Sequence, residues 1–395
     1  MKASFVSVIG LALLATADAL RNCVIPPSHP PGTDASPQIL STFKRCHKNS
    51  RVVFMKNTEY FIEKPMNITG LDNVHISLQG NVVFSDKNIT AWQESIFPLN
   101  FQSAGTWWVF EGKNIRVDGG GVVDGQGQVW WDAVAKDPRP ITMVFDKTEN
   151  LHVSDITVRQ TPFWAFLVRD SENIVFTNMN VSSVTNSTYR TRNSDFFNAV
   201  TSRGVTIKDS VIVNGDDCVA MKRNASAVDI ENLDCTGSHG ISIGSLGQYA
   251  PDGEIDIVQD VLVKNVTCRN CQNGARVKTW PGGKGAVQNI TFQDMQLINN
   301  ENPIIITTHY CDNNQMDYCT GANDHSLTIT DIIFKDISGS VSDDGNPIIN
   351  LNCSSGTPCT DITLENINIE AANNTPANVC VYVDDSETGS YCPSS

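Results

Sequence analysis

One short pattern returns along the chain: an apolar residue, any residue, an apolar residue, any residue, then Asn or Asp. It occurs as Ile174 to Asn178, Val205 to Asp209, Val228 to Asn232, Val261 to Asn265, Ile290 to Asp294, Ile332 to Asp336 and Ile362 to Asn366. The apolar positions alternate and are rich in Val and Ile, which suits strands rather than helices. From Asn178 to Asp209 is a step of 31 residues, from Asn232 to Asn265 one of 33, and from Asn265 to Asp294 one of 29. A repeat of this length with no helical period between strands predicts an all-β solenoid, a parallel β-helix, in which each coil covers the apolar row of the last. The recurrent Asn and Asp are expected at bends, paired with backbone or with their counterparts one coil away.

A solenoid needs covered ends. The stretch from Ser36 to about Cys46 predicts a short N-terminal capping helix, with Ser36 as N-cap and Pro37 at the first helical position. Residues 1–19 carry Lys2, an apolar run and Ala17-Asp18-Ala19, the features of a secretory signal peptide. The rest, residues 20–395, shows no linker and is expected to form a single β-helix catalytic domain that acts as a monomer. Secretion makes the twelve cysteines disulfide candidates. Sequential neighbours are expected to pair: Cys23 with Cys46, Cys218 with Cys235, Cys311 with Cys319, Cys353 with Cys359, and Cys380 with Cys392. Cys268 and Cys271 form an isolated CxxC without the second ligand pair that a zinc site needs. Nine Asn-x-Ser/Thr sequons fit a glycosylated exterior.

A formal charge of −15 argues against nucleic acid or an anionic membrane as partner. It also means that an acidic ligand would need a local cationic site. Asp195, the pair Asp216-Asp217, and His239 follow one another at 21 and 22 residues, close to one coil each, so the solenoid stacks them. Gly215 is expected to bend the chain so that both Asp216 and Asp217 face solvent. Crowded carboxylates repel, and one of them then keeps a proton beyond its ordinary range. That supplies a general acid beside a carboxylate base, the pair that glycoside hydrolysis uses. Arg276 and Lys278 share a strand face and can grip a carboxylate; Tyr310 is placed to complete the rung.

These residues resemble glycoside hydrolase family 28, the polygalacturonases. The motifs are Asn193-Ser194-Asp195, Gly215-Asp216-Asp217, Gly237-Ser238-His239-Gly240 and Arg276-Val277-Lys278. The resemblance implies a right-handed single-stranded parallel β-helix and hydrolysis of α-1,4-linked galacturonate with inversion. It assigns Asp216 as general acid, Asp195 and Asp217 as the groups that position and deprotonate water, and His239 as support for the acid. Arg276, Lys278 and Tyr310 would bind galacturonate in a pectic substrate, with no metal or cofactor. Room for the water implies acid-to-base separations of roughly 6.5 Å, or somewhat less, up to 9.5 Å. Ser238 and the run to Tyr249 are similar to fungal exo-acting members, which release single units from the non-reducing end. An acidic activity optimum is expected. Endo-polygalacturonase and exo-rhamnogalacturonan galacturonohydrolase activities are alternatives within the fold, and a calcium-dependent pectate lyase or a non-catalytic carbohydrate-binding β-helix are alternatives of other classes.

Two patterns carry less than their letters suggest. Gly240-Ile241-Ser242-Ile243-Gly244 matches the serine-hydrolase elbow, but no helix follows the serine as that motif requires. The pairs Trp107-Trp108 and Trp130-Trp131 are expected to pack rather than to carry sugar.

Overall fold

The computed structural model describes residues 20–99, 101–102, 104–134, 138–311, 324–384 and 386–392. Residues 1–19, expected as a signal peptide, and Cys319, expected to pair with Cys311, lie outside them. Among the described residues, 26 strands join in one system whose pairings are parallel, and each strand bonds to those one coil before and one coil after. A small side sheet is formed by Phe97–Pro98, Gly105–Thr106 and Pro140–Ile141. The architecture is the parallel β-helix that the repeat predicts.

The site is positioned by one face of this coil. Its strands are Phe166–Arg169, Phe197–Val200, Val219–Met221, Ile241–Leu246, Asn273–Thr279 and Asn302–Thr307. In register, Phe166, Phe197, Val219, Ile241, Ala275 and Ile304 form one column. All six are fully buried, so a one-residue slip would turn the apolar column outward. The alternate positions Leu167, Asn198, Ala220, Ser242 and Arg276 form the adjacent column on the opposite side of the strands. Function is therefore written in the gaps of the hydrophobic alternation.

The Asn and Asp markers close the bends. Asn178, Asp209, Asn232, Asn265, Asp294, Asp336 and Asn366 all have φ between 51° and 57°, the left-handed region that these side chains tolerate best after glycine. Their amides run along the solenoid: Asn232 Nδ2 donates to Asp209 Oδ1 at 2.8 Å, and Asn265 Nδ2 donates to Asn232 Oδ1 at 2.7 Å. Replacing Asn232 with Ala removes both bonds and puts a β-carbon on a left-handed backbone. Because the position is exposed, the expected cost is about 1–2 kcal/mol, read from denaturant midpoints. An unchanged midpoint would show the ladder to be ornamental.

The N-terminal cap forms with one correction. The helix Ser36–Arg45 starts one residue earlier than expected, with Ala35 at the N-cap position. Asp34 does the capping from outside, its Oδ1 accepting from Ser36 N at 3.0 Å and from Glu63 N at 3.0 Å. A carboxylate satisfies two amides there, which a serine hydroxyl at the helix start cannot. Two short helices, Ile89–Ser95 and Gly127–Asp132, were not foreseen. Trp107, Trp108, Trp130 and Trp131 are buried, and Trp107 stacks on Phe84 at 4.0 Å, so they pack as expected. The disulfides Cys23–Cys46, Cys218–Cys235, Cys353–Cys359 and Cys380–Cys392 are present, while Cys268 and Cys271 are buried free thiols.

Candidate active site

Backbone bonds between coils deliver the acidic cluster. Phe196 N donates to Asp217 O at 3.1 Å, and His239 N donates to Asp216 O at 2.8 Å. Asp195 thus lies one coil before Asp217, and His239 one coil after Asp216. Asp195, Asp216, Asp217, His239, Arg276, Lys278 and Tyr310 all line one pocket of about 1000 Å³. Every residue singled out from the motifs reaches it.

The motif serines and asparagines act as braces. Ser194 Oγ accepts from Gly215 N at 3.0 Å, and Ser238 Oγ donates to Asp216 O at 2.8 Å. Asn193 N donates to Asp216 Oδ2 at 3.1 Å, while Asp217 N donates to Asp216 Oδ1 at 2.8 Å. Arg139 in turn holds Asn193 Oδ1 at 2.6 Å. Gly215 is required for a different reason from the bend expected of it. Its backbone is not in the left-handed region, but a β-carbon would meet Thr191 Oγ1 at 1.9 Å.

The three carboxylates have different surroundings. The Asp216 side chain is 18% exposed and lies 3.1 Å from His239 Nδ1 through Oδ1. Asp217 does not face solvent as expected, because its side chain is only 2% exposed. It accepts from Ser242 Oγ at 2.8 Å, from Lys278 Nζ at 2.8 Å and from Arg276 Nη2. The serine of the elbow-like motif therefore braces an aspartate from the strand Ile241–Leu246. Asp195 is buried too; its Oδ2 accepts from Asn198 Nδ2 at 3.1 Å, and its Oδ1 has no hydrogen-bond partner among the described residues.

Proton affinities diverge accordingly. Burial, then the charges of Asp216 and Asp217, raises the Asp195 carboxyl well above its ordinary value. Burial also pushes Asp216 upward, but the charge and hydrogen bond of His239 outweigh it and leave Asp216 below that value. For Asp217 the same burial is overwhelmed by Lys278 and Arg276, which hold it far below. Lys222, a pocket residue that no motif announced, is lowered first by burial and then by the like charge of Lys278.

The Asp195 shift has a stability consequence. Folding favours its protonated form, so its contribution is complete below the unfolded value near 4 and fades as pH rises through the higher folded value. Asp195→Asn is expected to remove that loss. Relative to the parent, the variant should gain about 1 kcal/mol or more between pH 4 and 7 in denaturant melts. Parallel profiles would mean that Asp195 ionises normally.

One oxygen each of Asp216 and Asp217 and a nitrogen of His239 lie within 4.8 Å of one another. The same three groups could offer ligands to a cation, although both Asp217 oxygens already take charged donors from the protein.

The chain's relatives agree with this geometry. The family model described as Glycosyl hydrolases family 28 matches residues 46–390. Exopolygalacturonase rpg16 of Rhizopus delemar is 39% identical, covering 98% of this chain and 95% of its own. An exopolygalacturonase of Cochliobolus carbonum is 36% identical over 91% of this chain and 84% of its own. Among solved structures, endo-xylogalacturonan hydrolase from Aspergillus tubingensis superposes with a TM-score of 0.73 at 27% identity, covering 93% of this chain and all of that one. Fold, motif geometry and full-length relatives together place this chain in glycosyl hydrolase family 28.

Proposed function

We propose that the protein is a secreted exo-polygalacturonase that removes terminal galacturonate from the non-reducing end of pectic chains. The observation that supports exo action is a contact between two distant segments at the pocket wall, which Gln102, Trp164 and Gln248 line. Gln102 N donates to the Tyr249 hydroxyl at 2.9 Å across 147 residues of sequence. The Phe101 ring packs against Trp164 at 6.2 Å and Tyr249 at 6.3 Å, and the Arg223 guanidinium lies 5.7 Å from its centre while pairing with Glu254 at 3.0 Å. On this reading the contact ends the groove, so only a chain end reaches the acids. The rest of the chain leaves past Arg276, Lys278 and Tyr310, whose ring lies 5.3 Å from Lys278 Nζ. Disulfides and the leader-like N-terminus support secretion, and the site is complete within one chain.

The proton affinities divide the labour. Asp216 is the most exposed of the three acids and shares a proton with His239, which acts as its reservoir when the leaving oxygen is protonated. Asp195, with the highest proton affinity, is the better base for water. Its unpartnered Oδ1 and the unpartnered Oδ1 of Asn198 are buried acceptors for the two hydrogens of that water. Asp217 stays ionised and balances the developing positive charge at the sugar.

The active form carries one proton between Asp195 and Asp216, so activity should rise as the first of them ionises and fall as the second does, giving a bell with an acidic optimum. A flat rate from about pH 4 to 8 contradicts this division. The deciding experiment follows a hexagalacturonate labelled at its reducing end. Exo hydrolysis yields saturated monogalacturonate and a labelled chain one unit shorter, with the inverted anomer formed first and no effect of chelation. Labelled fragments of all lengths at early times would refute exo action, and an unsaturated product would indicate a lyase.

A further inference from the structure

Three cations that line the pocket are buried: Lys222, Arg276 and Lys278. Arg276 and Lys278 are held by Asp217. Lys222 is 4% exposed and has no ion pair or hydrogen bond from its ammonium among the described residues. Such a group is costly to bury unpaired, and Asp195 and Asp217 act on it through their charge without a direct bond to the ammonium. Its position is informative. Lys222 Nζ lies 5.5 Å from the centre of the Trp164 ring, and Trp164 in turn packs on Phe101 of the closing strap. The next residue, Arg223, pairs with Glu254 behind that strap. Lys222 thus stands at the shut end of the groove, between the barrier and the acids.

Resting on the exo reading above, we infer that Lys222, backed by the Trp164 ring, is the receptor for the carboxylate of the terminal galacturonate. The sugar in the shut end brings one carboxylate, and Lys222 is the buried pocket cation not already committed to Asp217. A point-charge ammonium on an aromatic face accepts that carboxylate without a second fork. Gly244 stands between the Lys222 and Lys278 rungs, where a β-carbon would collide with the backbone oxygen of Lys278. The consequence is a chemical check on the chain end: a methyl ester at that unit carries no charge to pair with Lys222, so trimming halts there.

The test compares trigalacturonate with the same trimer methyl-esterified on its non-reducing unit alone. The parent enzyme should favour the acid by about 10- to 100-fold in kcat/KM, with most of the difference in KM. In Lys222→Met that preference should collapse towards one, and Lys222→Arg should restore part of it. A parent without the preference overturns the assignment whether or not the variants fold. A Lys222→Met enzyme that keeps the parent's preference also overturns it, as does one that loses both substrates equally, since that pattern belongs to a structural residue. Failure of the parent to release monogalacturonate at all would strike the exo reading instead and is seen separately in the product analysis.

Discussion

Asp216→Asn is expected to lower kcat on oligogalacturonate by about 10³-fold while KM moves little. The amide still accepts one of the backbone bonds from Asn193 and Asp217, so the fold should survive. What it loses is a proton that can be delivered to a leaving oxygen and refilled through His239, 3.1 Å away. His239→Ala removes only the reservoir and should cost less, about 10- to 100-fold. A variant at position 216 with parental kcat would remove the acid from this account. Steady-state kinetics on a single defined oligomer suffice to measure it.

The second large effect concerns stability as well as rate. Asp217→Asn leaves the guanidinium of Arg276 and the ammonium of Lys278 buried and facing a neutral amide. Breaking a buried pair by removing one partner typically costs about 3–5 kcal/mol, and here one carboxylate serves two cations. The expected result is a loss of about 3 kcal/mol or more in denaturant melts, together with loss of turnover. Replacing all three residues, with Asn at 217 and Met at 276 and 278, should recover much of the stability and none of the activity. Recovery of activity would show the triad to be structural only.

The acids were legible in the sequence because the solenoid converts spacing into contact. Asp195, the pair Asp216-Asp217, and His239 are one coil apart, and parallel register leaves them little freedom. The Asn232 ladder was legible for the same reason, since a side chain that repeats at every bend must meet its neighbours. Lys222 was not. It follows the strand Val219–Met221 with no partner spaced around it, and a lone lysine in sequence reads as surface. The strap was equally hidden, because Gln102 and Tyr249 lie in irregular segments whose meeting depends on how loops fold over the coil rather than on its period. The sequence places Arg276 and Lys278 on one strand face as substrate ligands; in the structure both line the pocket and also bond Asp217, a partner that spacing does not announce. The direction of the Asp216 shift was also outside reach, since the crowding of three acids says that one proton is retained without saying where.

The division between Asp216 as donor and Asp195 as base can be separated by leaving-group chemistry. An aryl galacturonide whose phenolate departs without protonation needs the base but not the acid. On this substrate Asp216→Asn should return to within about 10-fold of the parent, while Asp195→Asn stays inactive. Rescue of the Asp195 variant in place of the Asp216 variant would contradict the assignment.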